Sequence, residues 1–132
     1  MRAKALRCAV FAVIGLFFAA LPARAATILV YHSFGVRSSM SISLPAFEAQ
    51  LDFLEKNGNK VIGVDELVAA VAAGKNPPDG SVVIAIDDGW ATVMAAFEVL
   101  KRRNLPFAVF LPMAYTANPY CKVTLSQADI DK

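Results

Sequence analysis

The sequence predicts an α/β fold in which parallel strands alternate with helices. Three observations carry that expectation. Apolar residues run without alternation at 28–30 and 82–86, as in strands covered on both faces. Between them, apolar residues recur at helical spacing. Glycine, proline and asparagine mark each change from one pattern to the other. A length of 132 residues bounds the chain to one domain, and two cysteines cannot staple it. With 57 % apolar residues the chain is neither disordered nor collagen-like.

The first 25 residues read as a secretory signal peptide. Arg2, Lys4 and Arg7 form a basic start, residues 8–21 are uncharged and mostly apolar, and Pro22 breaks the run. Ala23-Arg24-Ala25 then gives a small-x-small cleavage pattern. The apolar run is short for a membrane span, which takes about 20 residues. The expected location is secreted or periplasmic, with membrane attachment only if the leader stays uncleaved. Cleavage removes four of the 13 basic residues and none of the 11 acidic ones, so the net charge turns from +2 to −2. The only basic cluster left is Lys101-Arg102-Arg103, and no nucleic-acid partner is expected.

Residues 26–31 read as a first strand buried on both faces, and the serine-rich stretch 32–43 as a loop. Ser43 is placed to cap a helix, with Pro45 in its first turn. Phe47, Leu51 and Leu54 form the apolar face of that helix, and Gly58 supplies its left-handed stop. Residues 60–64 read as a second strand. Asp65 caps a helix carrying Leu67, Val68 and Val71, which Gly74 ends. Pro77 and Pro78 exclude regular structure from the turn at 75–80. Residues 81–86 form the best strand in the sequence. A helix over 90–103 follows, with Val93, Ala96, Phe97 and Leu100 on one side. Lys101, Arg102 and Arg103 fall in its last turn, where cations offset the helix dipole. Residues 107–111 read as a fourth strand and 112–123 as a loop. Thr124 and Gln127 suggest a capping box for a last helix near Leu125.

Asp87 and Asp88 end the most buried strand. Parallel α/β folds place their sites at such strand ends. Neighbouring strand side chains point to opposite sides, so the two carboxylates are not expected to share one task. A buried unpaired carboxylate is costly and calls for a cation partner; the plainer reading is that Asp88 caps the next helix. His32, the only histidine, ends the first strand and opens on the same rim if the two strands run parallel. Trp90 and Phe34 line a groove for sugar rings or pack in the core. Cys121 reads as an inert loop cysteine, with only Lys122 nearby to lower its pKa.

The chain resembles the polysaccharide deacetylase family, the NodB-homology or carbohydrate esterase family 4 group. Four segments carry the resemblance: Ile28-Leu29-Val30-Tyr31-His32-Ser33-Phe34, Phe47-Glu48-Ala49-Gln50-Leu51-Asp52-Phe53-Leu54, Val82-Val83-Ile84-Ala85-Ile86-Asp87-Asp88-Gly89-Trp90 and Leu105-Pro106-Phe107-Ala108-Val109-Phe110-Leu111. The linker Asn57-Gly58-Asn59-Lys60-Val61-Ile62 is also similar. The resemblance implies a distorted (β/α) barrel and a hydrolase that removes N-acetyl groups from a sugar polymer with a divalent metal, zinc by expectation. It further implies Asp87 as the general base, Asp88 as a metal ligand and His32 as the acid. Ala85-Ile86 stands where the family usually has Thr-Phe. The family's paired-histidine metal motif lies downstream of the part matched by Leu125-Ser126-Gln127, and this sequence holds no such pair. Residues 26–132 are therefore expected to be the N-terminal part of the domain, an incomplete barrel, weakly active or inactive alone.

Two other readings remain. One is a non-catalytic secreted module of the same fold that binds glycans or a partner. The other is a receiver-type phosphoacceptor domain, which the leader argues against.

Overall fold

The computed structural model describes residues 26–114 and 123–132. The leader expected at 1–25 and Cys121 lie outside the described residues, among which no helix is long and apolar enough to cross a membrane.

Parallel strands alternate with helices, and the sheet is open rather than closed into a barrel. Strand β1 (Thr27–Tyr31) pairs in parallel with β5 (Ser81–Ile86) along its whole length, from Thr27 opposite Val82 to Tyr31 opposite Ile86. β1 fills one edge of β5, so the other edge must serve two partners. Strand β4 (Lys60–Val61) takes its beginning and β6 (Ala108–Val109) its end. Both are shorter than the sequence suggested, because each finds only part of that edge. The loop after β1 also holds a small ladder that the sequence reading did not foresee, β2 (Ser33–Phe34) beside β3 (Ser41–Ile42).

Helix α1 (Leu44–Lys56) begins and ends as its sequence requires. The Ser43 hydroxyl accepts the Ala46 N–H at 3.3 Å, Pro45 lies in the first turn, and Gly58 takes φ +71° just beyond the end. Phe47 and Leu51 are buried and Leu54 is half-buried. Helix α2 (Val64–Ala72) departs from expectation in two ways. Its cap position is Gly63, with Asp65 inside the first turn. Its sheltered stripe is Val64, Leu67 and Ala70, while Val68 and Val71 are exposed. The spacing i, i+3, i+6 is as helical as the one expected; only the neighbouring sheet decides between them.

Helix α3 (Val93–Arg102) starts three residues later than predicted, because Trp90 is drawn into an antiparallel bridge with Thr124. Val93, Ala96 and Leu100 are buried as expected. The last helix, α4 (Gln127–Ile130), carries its capping box two residues beyond the predicted position: Ser126 and Asp129 bond each other reciprocally.

α1 and α3 cover one face of the sheet, where Phe47, Leu51, Ile84, Ile86, Ala96 and Leu100 form the core. Tyr31, Phe34 and Phe47 pack there as a trio with ring centroids 5.0 to 5.9 Å apart. Phe34 is thus a core residue. α2 adds nothing to this cluster yet packs against β5. A right-handed return from β4 to β5 puts it on the opposite face, where Val83 and Ala85 are also buried. That face is only partly covered. Ile28 and Val30, expected to be buried on β1, are 52 % and 51 % exposed, because nothing among the described residues lies over them.

Candidate functional site

β1 and β5 run parallel and end level, so His32 and Asp87 leave the sheet together. The Asp87 N–H donates to the Tyr31 carbonyl at 2.8 Å, one step beyond the ladder. Past that bond β5 cannot continue. Asp88 adopts φ +68° and Gly89 φ +57°, two left-handed residues in succession. Glycine enters that region freely, and aspartate is among the few side chains that tolerate it.

This corner is held by the far end of the chain. The Leu125 N–H donates to the Gly89 carbonyl at 2.8 Å, and the Ala91 N–H donates to the Val123 carbonyl at 2.8 Å. Between these bonds lies the Trp90–Thr124 bridge. From the other side, Thr92 Oγ1 accepts the Phe34 N–H at 3.3 Å and ties α3 to β2.

The result is a cavity of about 410 Å³ at the carboxyl end of the sheet. His32 and Asp88 both line it, one following β1 and the other β5, with Trp90, Met40 and Val123 among its apolar walls. Among the described lining residues Asp88 is the one carboxylate and His32 the one basic group. The two aspartates diverge: Asp87 is half-buried and is not part of the cavity wall. Asp88 Oδ2 accepts the Trp90 indole N–H at 3.2 Å. Trp90, for which groove and core were equally open, belongs to the cavity and is 38 % exposed. Sequence reasoning missed the wall formed by Val36, Ser38 and Met40, and it missed Val123. A serine-rich loop gave no sign of closing on itself, and nothing local announces a partner for the corner so far along the chain.

No group of three histidine, cysteine, aspartate or glutamate residues able to hold a metal exists among the described residues. His32 and Asp88 supply two donors to one cavity, whereas a catalytic zinc has three protein ligands. The described residues therefore do not make up the metal site that the resemblance implies.

No protein-family model matches the chain. A Bacillus subtilis (strain 168) protein named as a polysaccharide deacetylase, YxkH, is 29 % identical over 85 residues, covering 64 % of this chain and 30 % of that protein. Among solved structures, IcaB from Ammonifex degensii is similar with a TM-score of 0.72 and 29 % identity, covering 80 % of this chain and 46 % of that one. A de-N-acetylase from Aggregatibacter actinomycetemcomitans has the same fold, with a TM-score of 0.71 at 20 % identity over 80 % of this chain and 48 % of its own. The chain thus spans less than half the length of each of these relatives.

Proposed function

Since the chain resembles polysaccharide deacetylases over less than half of their length, we propose that it is the N-terminal part of a secreted deacetylase acting on an N-acetylated sugar polymer and supplies the acid–base side of that enzyme. The observation that carries this reading is the meeting of His32 and Asp88 in one cavity at the carboxyl end of a parallel sheet. In the reaction a water oxygen attacks the acetyl carbonyl carbon and the carbon–nitrogen bond breaks. Acetate leaves on one side and a free amine on the other. The resemblance gives the proton of the attacking water to Asp87, which leaves the sheet beside His32 though outside the cavity wall, and has His32 donate a proton to the departing nitrogen. Asp88 offers its carboxylate in the cavity to a cation or to a sugar hydroxyl. A divalent metal would find Asp88 and His32 here as donors; with two where three are needed, no step is derived through it.

Acetate release from an N-acetylglucosamine oligomer, supplied with a divalent metal, tests the reading. Release by this chain is expected to be weak, and to be lost in Asp87→Asn and reduced in His32→Ala. Release that survives both substitutions would refute the assigned roles.

A second reading draws on the Asp88–Trp90 bond and the apolar walls of the cavity. It is a non-catalytic module in which the cavity holds a glycan. Oligomer binding that is indifferent to a chelator and to Asp88→Asn is its signature. Binding that fails under both excludes it.

A further inference from the structure

We propose that Trp90 is a positioning residue: its indole N–H fixes one oxygen of Asp88 so that the other is presented to the cavity. The proposal rests on the deacetylase reading for what the cavity receives, and on three observations for the geometry. First, the bond from Trp90 Nε1 to Asp88 Oδ2 is 3.2 Å long and joins residues only two apart, across a left-handed corner. A carboxylate on that corner is free to turn about its last torsion unless one oxygen is held. Second, Asp88 Oδ1 makes no hydrogen bond to any described residue, although the side chain lines the cavity. Among the described residues, then, one oxygen is engaged and the other is not. Third, Trp90 is itself anchored. Its backbone bridges Thr124, and the Gly89 and Ala91 bonds on either side hold at 2.8 Å.

An indole N–H left to water would be satisfied equally well. Its use on Asp88 is thus a matter of orientation more than of stability. Oδ1, on a side chain that lines the cavity, is left to accept from a donor that enters it. For an acetamido sugar that donor is a ring hydroxyl or the amide N–H.

The composition allows a clean test, because the chain has one tryptophan and one histidine. Replacing tryptophan throughout by its benzothienyl isostere puts sulfur in place of the N–H and changes position 90 alone. Affinity for an N-acetylglucosamine trimer is read from the His32 ring signals by NMR. The isostere is expected to unfold at the wild-type denaturant concentration yet bind the trimer about tenfold more weakly, the scale of one hydrogen bond to a charged group. In a second measurement, the lone indole N–H resonance is expected to move in Asp88→Ala. An unmoved resonance overturns the proposal, and so does an isostere that binds like wild type. If the trimer leaves His32 of the wild type undisturbed, it is the glycan reading that fails, and the indole resonance alone decides whether Trp90 holds Asp88.

Discussion

At the scale of the residue, Asp88 combines a demanding backbone with a side chain that lines the cavity. A left-handed conformation costs an ordinary L-residue roughly 1–2 kcal/mol, and asparagine or aspartate less. Asp88→Ala is therefore expected to destabilise the protein by about 1 kcal/mol, because alanine tolerates the φ of +68° less well than aspartate does. Asp88→Asn keeps an acceptor and tolerates the conformation, so its urea midpoint should stay close to wild type. Equal midpoints for the two variants would contradict this account. Tyr31 shows a different coupling. Burial lifts its phenol above the ordinary value, and its hydroxyl donates to Gln50 Oε1 at 2.8 Å. A raised folded pKa favours the neutral form. Its stabilisation is whole below the unfolded value of about 10 and is lost as the pH rises through the folded one. Tyr31→Phe, followed by circular dichroism between neutral and strongly alkaline pH, should remove that part of the alkaline loss.

At the scale of the element, the basic turn of α3 has found a specific use. Arg103 meets Asp52 at 2.6 Å and Glu48 at 3.7 Å, and Arg102 meets Glu48 at 3.4 Å. Lys101 lies 5.2 Å above the Phe97 ring. These ion pairs join the last turn of α3 to α1. Such surface pairs contribute little, so Arg103→Ala should cost about 0.5–1 kcal/mol in low salt, and the gap should shrink at high salt. A gap that ignores salt would point to lost packing of the arginine stem instead. Elements governed by local chemistry were legible in the sequence: the Ser43 cap, the Gly58 stop and the buried β5 all stand as read. The extents of β4 and β6 and the start of α3 were not, because each is set by a distant partner. The site divides in the same way. His32 and Asp88 could be placed on one rim from strand order alone. The wall at 36–40 and the bond from Trp90 depend on how loops fold back.

At the scale of the whole molecule, one face of the sheet is finished and the other is not. Ile28, Val30 and Phe110 are each about half exposed, and β1 has no strand beyond it among the described residues. β1 carries no charged residue to discourage pairing with another edge. The chain should therefore self-associate as its concentration rises, seen as an increasing average mass in sedimentation equilibrium. Val30→Lys should hold it monomeric, since the lysine lies on the exposed face of that edge strand. A mass independent of concentration in the wild type would sink this expectation. The stapling of the acidic corner has a consequence in time as well as in space. The bonds that fix Gly89, Trp90 and Ala91 come from residues 123–125, so during synthesis β1 and β5 are available to pair well before these partners of the corner leave the ribosome. The sheet is then an early product of folding and the cavity a late one, and a nascent chain halted between them would own a scaffold without a site.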